Sequence, residues 1–491
     1  MLALARVKVL SVSSELVPFA KTGGLADVCA ALPRALRQQG HELQVYLPLY
    51  KQIKRDGLVL TPLPELQNLE CVLGRDTVRF SVVATVLPDS DVPVHLIDCP
   101  PMFHRDGIYT SDDDETLRFV LLCHAALIAS HRLGFAPGIV HAHDWQASLL
   151  PLLLDTTYRW SSFLAGARSV LTIHNLNYQG RCPAAMLGSL GLPESAHARL
   201  HQDNLRAGFI NLLLTGILHA DVLTTVSPTY AHEIQTEEFG AGLHPYLAAR
   251  RDRLFGILNG VDDTWDPAHD ALIPATFGIE SIDRKTLNRD ALLSKTGLRP
   301  APPDVAVFGI VSRLASQKGF QLLQDTLPRL FLQADARLVV LGSGEPRFEE
   351  FFSQFQQQQP GRVCFYRGFS NELAHLIEAG ADIFLMPSRY EPCGLNQMYS
   401  LRYGTVPLVR RVGGLADTVR AWDPTTGQGN GFLFDAFTPE AFWDALVDTL
   451  RAFDDPAQWR QIQRNGMAAD FSWGRQAQRY GALYERLAAL G

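Results

Sequence analysis

The sequence lacks the features that mark membrane, secreted and nucleic-acid-binding proteins. Its longest apolar runs fall short of the ~20 residues that cross a bilayer. Its 44 Lys and Arg residues are outnumbered by 51 Asp and Glu, so the net charge of −7 indicates no nucleic-acid partner. The seven cysteines follow no pattern, which favours reduced thiols over a disulfide scaffold. The opening MLALARVKVLSVSS has the layout of neither a secretory signal nor a transit peptide. We therefore expect a cytoplasmic protein without membrane contacts.

The common phosphate-binding and metal-binding motifs are also missing. The pattern GxxxxGK[ST] does not occur, and no GxGxxG is followed by the acid that a dinucleotide fold requires. The segment HAHDW contains two histidines, but no Cys, His or Asp set with metal-ligand spacing accompanies them. We interpret His141 and His143 as packing beneath a loop, and we expect neither a metal nor a cofactor.

What the sequence does contain is repeated strand–helix alternation. Its 491 residues predict two or three domains. A strand at Val7–Ser13, a helix at Leu25–Gln39 that Pro33 kinks, and a strand at His41–Leu47 form a βαβ unit. Further strands are predicted in the first half at Ile139–His143, Ser169–His174 and Val222–Ser227. A helix is predicted at Trp145–Leu154.

The alternation fades after residue 255 and then restarts. Strands are predicted at Val305–Val311, Leu338–Leu341, Val363–Tyr366, Ile383–Met386 and Val406–Val409. We therefore predict two doubly wound α/β domains, 1–255 and 256–474. A final helix near Arg475–Leu490 fits either domain by its pattern, and we assign residues 475–491 to the first.

The letters GGLAD occur twice, at Gly23–Asp27 and at Gly413–Asp417. Each copy follows a predicted strand and opens a predicted helix. Two glycines let a backbone approach a ligand closely, and the free N–H groups of a helix amino end attract anions. Each domain would then present one helix start to an anionic ligand. The alternative is that both copies are tight strand-to-helix turns.

Cationic side chains stand on strand-end loops of both halves. Lys21 precedes the first glycine pair, and VSRLASQKG places Arg313 and Lys318 between a strand and a helix. Basic residues beside a helix amino end suit a diphosphate. Taken singly, each is more often a solvated surface charge, but three of them on strand-end loops of both halves are harder to explain in that way.

Two further groups of polar residues end strands. Glu391 lies between two prolines in PSRYEPCGLNQMYSLRYG, where a helix is predicted to begin at about Gly394. A carboxylate there would hold sugar hydroxyls or stabilise positive charge at an anomeric carbon, or it would be a surface acid beside a helix start. Cys393 has no nearby basic residue in the sequence that would mark it as a nucleophile, and we interpret it as a small side chain that fills space in the core. Asp144 and His174 are candidates for contacting hydroxyl groups.

Seven segments together resemble the bacterial glycogen synthase family, which is close to the plant starch synthases. They occur in the family's order, and the similarity extends from about residue 7 to the end of the chain: KTGGLADV, HAHDWQASL, IHNLNYQG, ADVLTTVSPTYAHEI, GILNGVD, VSRLASQKG and PSRYEPCGLNQMYSLRYGTVPLVRRVGGLADTV.

The resemblance implies a GT-B type glycosyltransferase, with two Rossmann-like doubly wound domains that face a central cleft. Such enzymes transfer glucose from ADP-glucose to the non-reducing 4-hydroxyl of an α-1,4-glucan such as glycogen. The configuration at the anomeric carbon is retained, and no metal is obligatory. The acceptor side would be the first domain and the nucleotide-sugar side the second. The sequence does not determine an oligomeric state.

The resemblance also implies roles for single residues. Lys21, with Gly23 and Gly24, approaches the distal phosphate, while Arg313 and Lys318 bind the diphosphate. Glu391 contacts the glucosyl ring, and His174 lies beside the donor sugar with Asp144 on the same side. The remaining expected contacts around the donor are Asp27, Asn259, Phe369, Cys393, Gly394 and Leu395.

The sequence departs from the family at two of these places. Gln146 stands where relatives commonly have His, and Phe369 where bacterial relatives often have Tyr; Phe can still stack on adenine. Three functions remain open at this point: an ADP-glucose-dependent synthase, a relative that uses UDP-glucose or a glucose 1-phosphate acceptor, and a glucan-binding regulator without catalysis. The presence of all four key charged residues argues against the third.

Overall fold

A computed structural model of the chain describes residues 6–54 and 57–489. It divides into two compact units. The first contains the chain up to Val226, Ala231–Gly260 and the chain from Trp473 onward, and the second contains Ser227–Tyr230 and Val261–Ser472. The assignment of the acceptor to the first predicted domain and of the nucleotide sugar to the second stays a prediction.

The strands of the first unit are β1 (Lys8–Val12), β2 (Glu42–Pro48), β3 (Thr61–Pro62), β4 (Leu69–Leu73), β5 (Asp76–Val86), β6 (Pro93–Asp98), β7 (Ile139–His143), β8 (Arg168–Ile173), β9 (Arg181–Pro183), β10 (Phe209–Asn211), β11 (Val222–Thr225) and β12 (Leu254–Gly256). In the described residues they form a ten-stranded sheet of order β12-β11-β8-β7-β1-β2-β6-β5-β3, with β4 beside β5, and a β9–β10 ribbon. Neighbours from β12 to β6 run parallel, and these strands are largely buried, as is usual for parallel sheets that are covered on both faces.

The edge of this sheet beyond β6 is antiparallel and was not predicted. β5 pairs antiparallel with β6, β3 and β4. A two-residue turn joins β4 to β5, and Gly74 adopts φ +69° there. Every second residue of β4 is exposed, as is usual for an antiparallel strand with one face toward solvent.

The helices of the first unit that precede residue 260 are α1 (Gly24–Gln38), α2 (Pro100–Phe103), α3 (Glu115–Arg132), α4 (Asp144–Ala147), α5 (Leu150–Asp155), α6 (Gln202–Arg206), α7 (Leu212–His219), α8 (Pro228–Glu233, whose first turn is grouped with the second unit) and α9 (His244–Ala249). α1 continues through Pro33 as one helix. The single helix predicted at Trp145–Leu154 is wrong: it is divided into α4 and α5, because Pro151 has no N–H to continue the helical ladder.

The second unit contains a six-stranded parallel sheet in the described structure, of order β15-β14-β13-β16-β17-β18. Its strands are β13 (Val307–Val311), β14 (Arg337–Gly342), β15 (Val363–Arg367), β16 (Ile383–Met386), β17 (Val406–Arg410) and β18 (Phe432–Phe434). Its helices are α10 (Lys285–Lys295), α11 (Phe320–Gln333), α12 (Pro346–Gln358), α13 (Asn371–Gly380), α14 (Asn396–Arg402), α15 (Gly413–Thr418), α16 (Pro439–Phe453) and α17 (Pro456–Met467). Phe, Leu and Ile side chains of the sheet and of the helices α11, α12, α16 and α17 share one buried core.

The last helix, α18 (Trp473–Ala488), packs against α1 in the first unit. The Tyr484 hydroxyl lies 2.7 Å from His141 Nδ1 in the core of that unit. No described helix is long and apolar enough to cross a membrane.

The strand order fixes where loops converge. The chain leaves β1 toward β2 on one side, and β7 lies on the other; β13 lies in the same way between β14 and β16. Ligands of open α/β sheets bind at such switch points, at the carboxyl ends of the strands. The loops after β1, β7 and β8, and those after β13 and β16, are therefore the places to look for a site.

Candidate active site

The loop after β1 is held from beneath by Glu15. One carboxylate oxygen accepts the N–H groups of Thr22 (2.6 Å) and Gly23 (3.1 Å), and the other accepts the Thr22 hydroxyl (2.6 Å). The Tyr109 hydroxyl donates to that second oxygen at 2.7 Å. Glu15 is buried, so these four donors replace the water that its charge has lost.

The tip of this loop is open to solvent. The exposed Lys21 ammonium lies 2.7 Å from an Asp27 carboxylate oxygen. α1 begins at Gly24, and no side chain in the described structure caps it. At Gly23 a Cβ atom would meet nothing within 4 Å, and φ is −156°. The protein itself therefore leaves room beside this helix start, as a bound group would need.

Asp144 and His174 meet after β7 and β8. The Asp144 carboxylate accepts the backbone N–H of His174 at 2.7 Å and that of Asn175 at 3.4 Å. Asp144 adopts φ +55°, an unusual backbone for a non-glycine residue, and burial raises its pKa to about 7. This carboxylate oxygen therefore fixes the His174 backbone, and the contact of Asp144 with a ligand hydroxyl stays a prediction.

Buried histidines continue the chain of contacts under the site. His174 Nε2 lies 3.0 Å from His143 Nδ1, and His143 Nε2 lies 3.4 Å from the Ser11 hydroxyl. His141 Nε2 lies 2.6 Å from the Thr172 hydroxyl. Burial lowers the pKa of His143 to about 3 and places those of His141 and His174 well below their usual range. The interpretation of His141 and His143 as packing residues agrees with these contacts.

Asn259 also lies in the first unit and is buried. Its side-chain oxygen has no hydrogen-bond partner within residues 6–54 and 57–489. A buried amide oxygen left in this state costs free energy, so it is suited to a donor that arrives with a ligand.

In the second unit, the loop after β13 carries the two predicted cations. Arg313 is exposed, and Lys318 precedes the start of α11. Gly319 adopts φ +76°, and a Cβ atom there would lie 1.8 Å from the Pro387 carbonyl oxygen. The Arg389 N–H donates to the Gln317 carbonyl at 2.8 Å. The loops after β13 and β16 are therefore fastened together.

Lys318 and Glu391 form the central ion pair of this region. Lys318 Nζ lies 2.6 Å from Glu391 Oε2, and the side chains are 20% and 7% exposed. The Ser388 hydroxyl donates to the same oxygen at 3.1 Å. Their burial separates this pair from ordinary surface charges, which contribute little.

The segment after Glu391 is shaped by a single glutamine. Gly394 adopts φ +71°, and α14 begins at Asn396 rather than near Gly394. Gln397 Nε2 donates to the carbonyls of Cys393 (3.1 Å) and Gly394 (3.0 Å). Cys393 is buried, and burial is typical of the small filler that was expected. Leu395 lies at the helix boundary, half-buried.

The second GGLAD differs from the first in its physical role. A Cβ atom on Gly413, where φ is +42°, would lie 1.9 Å from the Glu391 carbonyl oxygen, and one on Gly414 would lie 2.0 Å from that of Cys393. The glycines of the second copy therefore make room for the Glu391 loop, a need that Gly23 in the first copy does not share. Asp417 accepts the N–H and hydroxyl of Thr229 at 2.9 and 2.7 Å.

Phe369 follows β15 and is 75% exposed. An aromatic ring so open to water has little role in folding, and it has a free face on which a base can stack.

Sequence reasoning missed Glu15 and Ser388. Glu15 is the only acid between Val7 and Lys21, and a lone acid in an apolar stretch signals a buried carboxylate that needs donors. Ser388 gave no such signal. Within the described residues, no group of three or more His, Cys, Asp or Glu side chains could hold a metal ion.

Two family models match the chain, one in each half. The starch synthase catalytic domain matches residues 8–249, and glycosyl transferases group 1 matches residues 299–466. The chain is 42% identical to the glycogen synthase of Geotalea uraniireducens over 97% of its own length and 98% of that protein. It is 45% identical to that of Anaeromyxobacter dehalogenans, with 98% and 99% covered.

Solved structures agree with these relatives. The catalytic domain of starch synthase IV from Arabidopsis thaliana, bound to ADP and acarbose, superimposes with a TM-score of 0.90 at 34% identity, covering 99% of this chain and all of that one. Sucrose-phosphate synthase from Thermosynechococcus elongatus shares only the fold, with a TM-score of 0.60 at 18% identity over 99% of this chain and all of that one. The predicted GT-B type fold of two Rossmann-like domains is confirmed, and the chain belongs to the glycogen synthase family of glycosyltransferases.

Proposed function

We propose that this enzyme transfers glucose from ADP-glucose to the non-reducing 4-hydroxyl of an α-1,4-glucan, with retention of configuration. The buried pair of Lys318 with Glu391 carries the proposal, because it joins a phosphate-binding cation to a carboxylate suited to sugar hydroxyls. The likeness to a starch synthase that binds ADP and acarbose supports the same donor and acceptor classes.

The leaving group in this reaction is ADP, whose diphosphate gains negative charge as the glycosidic bond breaks. Lys318 has three N–H bonds and uses one on Glu391, which leaves two for phosphate oxygens. Arg313 would donate two parallel hydrogen bonds to the phosphate oxygens. Lys21 would exchange its exposed ion pair with Asp27 for a phosphate oxygen at a small cost in free energy. Basic side chains would thereby stabilise the departing charge without an obligatory metal.

The sugar would be oriented by the other residues. Glu391 would accept hydroxyl groups of the glucosyl ring, and neutral His174, held by Asp144, would offer a hydrogen bond beside the reacting carbon. Asn259 would receive a donor at its unpartnered oxygen, and Phe369 would stack on the base. Retention is best explained by attack of the acceptor from the face that ADP leaves, within a short-lived ion pair; this follows from analogy with the family.

The deciding experiment measures ADP release from ADP-glucose with and without glycogen, with UDP-glucose in parallel. We expect release that requires glycogen, prefers ADP-glucose and survives excess EDTA. Faster turnover of UDP-glucose would overturn the donor, and loss of activity in EDTA would overturn the metal-free reaction. Glycogen binding without turnover of either donor would favour the non-catalytic alternative. The seven free cysteines support a reducing, cytoplasmic setting for the reaction.

A further inference from the structure

A polar cavity of about 400 Å³ opens in the first unit, outside the candidate active site. Small-molecule sites usually have volumes of ~300–1,000 Å³, so the cavity is large enough for a small ligand. The ends of α7 and α9 and the turn that leads into β12 line it. The proposed reaction assigns no role to its residues, among them Arg199, His219, Arg250 and Arg253.

The cavity lies at the end of the sheet opposite to Asp144 and His174. Asp221 comes directly before β11 and Arg253 directly before β12, so the cavity lies at the amino ends of these strands. Asp144 and His174 follow the carboxyl ends of β7 and β8, which run parallel to β11. Even the four residues of β11 span about 13 Å. A ligand in the cavity therefore does not contact Asp144 or His174.

Arg250 is held rigidly at the wall of the cavity. Its Nη1 group donates to the Ile217 carbonyl and its Nη2 group to the Ala220 carbonyl, both at the carboxyl end of α7. A longer contact of 3.5 Å joins Nη2 to the Asp221 carbonyl. These contacts use at most three of the five N–H groups of the guanidinium. A fixed guanidinium that has N–H groups to spare is suited to an anionic ligand.

Arg253 brings a second positive charge to the same cavity. Within residues 6–54 and 57–489, its guanidinium has neither a hydrogen-bond acceptor nor a carboxylate partner. Burial lowers the pKa of Arg250, and the charge of Arg253 lowers that pKa further, against an opposing effect of Asp221. The two arginines therefore repel each other, and an anion bound between them would relieve the repulsion.

The two acids that line the cavity do not neutralise these charges, because each has another partner. Asp221 Oδ2 accepts the N–H and the hydroxyl of Ser169, both at 2.8 Å, and Asp221 Oδ1 lies 3.4 Å from Arg168 Nη1. The Asp252 side chain is 95% exposed, and its carboxylate lies 3.9 Å from Arg251 Nε. Neither carboxylate is paired with Arg253.

The third arginine of the cavity, Arg199, is already paired. Its Nη2 group donates to the Asp155 carboxylate and lies 3.4 Å from His219 Nδ1. His219 donates from Nε2 to the Arg199 carbonyl at 2.9 Å, and burial lowers its pKa, so the ring is neutral at pH 7. The charges of Arg250 and Arg253 are therefore the ones left uncompensated in the cavity.

We propose that Arg250 and Arg253 form a binding site for a phosphate group, either as inorganic phosphate or as the phosphate of a small metabolite. A phosphate group carries close to two negative charges near pH 7 and presents several acceptor oxygens, which match two guanidinium groups. The volume of the cavity leaves room for the organic part of a small ester. Binding there would stabilise the folded first unit by mass action, and the inference does not depend on the proposed reaction.

The test titrates inorganic phosphate into the enzyme in a calorimeter at constant ionic strength. Arg253→Ala is the test variant, because no contact in the described structure depends on its guanidinium. Arg251→Ala is the matched control, since it removes the same charge from a 77% exposed neighbour that does not line the cavity. We expect Arg253→Ala to raise the Kd for phosphate at least about tenfold, as the loss of a charged hydrogen-bond donor predicts. Arg251→Ala should bind phosphate as the wild type does.

Phosphate also suits the cations of the candidate active site, so Lys318→Ala is titrated in parallel. We expect Lys318→Ala to keep the binding that Arg253→Ala loses. Equal weakening in Arg253→Ala and Arg251→Ala would overturn the proposal, because the attraction would then belong to the surface charge as a whole. Loss of binding in Lys318→Ala alone, or no binding to the wild type, would also overturn it.

A second titration, with fructose 6-phosphate, identifies the source of the phosphate group. Tighter binding than that of inorganic phosphate, lost in Arg253→Ala, would support a metabolite ester as the ligand. Weaker binding would support inorganic phosphate in the same site. Calorimetry requires no turnover, so failure of the proposed reaction and failure of this inference are distinguishable.

Discussion

The two GGLAD copies allow one substitution to be compared with its own internal control. Replacing Gly413 with Ala places a methyl group 1.9 Å from the Glu391 carbonyl oxygen, so that backbone must retreat by about 1 Å or more. Overpacking of this kind costs about 1–3 kcal/mol, and an alanine held at φ +42° adds about 1–2 kcal/mol. We expect Gly413→Ala to lose about 2–5 kcal/mol of unfolding free energy.

In a unit of this size such a loss lowers Tm by roughly 4–20 °C, which differential scanning calorimetry resolves. Gly23→Ala serves as the control, since its methyl group meets nothing within 4 Å and φ is −156°. Its Tm should match the wild type, while its KM for ADP-glucose rises because the methyl group occupies the space beside the helix start. Equal Tm values for the two variants would refute the reasoning.

Four further outcomes are expected, three from substitutions and one from a change of pH. Lys318→Ala should lower both kcat and apparent affinity for ADP-glucose, and Glu391→Ala should lower kcat at least a hundredfold with the fold retained in circular dichroism; near wild-type kinetics in either would contradict its role. Phe369→Ala should raise the KM for ADP-glucose several-fold with no change in Tm, because its ring is 75% exposed; a lower Tm would place the ring in the core instead. Urea unfolding should show the first unit losing stability between pH 6.5 and 5, by about 1.4 kcal/mol per pH unit for each histidine that must stay neutral when folded. Asp144, whose pKa is raised to about 7, partly offsets this loss, because the folded state binds one proton there that the unfolded state does not. An unfolding free energy that does not change between pH 6.5 and 5 would contradict the burial of these histidines. Burial lowers the pKa of seven histidines in this unit: His41, His95, His124, His141, His143, His174 and His219.

The parallel strands were predictable because both of their faces are buried. Runs such as VKVLSVS and IVHAH then contain clusters of Val, Ile and Leu, and their loops could be placed at one edge of a sheet. β4 and β5 were not predicted, because they pair antiparallel at the edge of the sheet and lie outside the βαβ alternation from which the other strands were inferred. Other contacts join residues that are distant in sequence. Gly413 packs against the Glu391 carbonyl, and the Asp144 carboxylate accepts the N–H of His174. Such contacts are decided by tertiary packing, which no local pattern records.

The return of α18 to the first unit has a consequence for biosynthesis. Residues Val261–Ser472 complete a sheet among themselves, so the second unit can fold as soon as they leave the ribosome. The first unit must wait for Tyr484, whose partner His141 was made 343 residues earlier. The amino-terminal unit therefore matures last, against the usual vectorial order. A chain released before α18 would expose the apolar face of α1 to chaperones and proteases, so the final helix makes stability depend on complete translation.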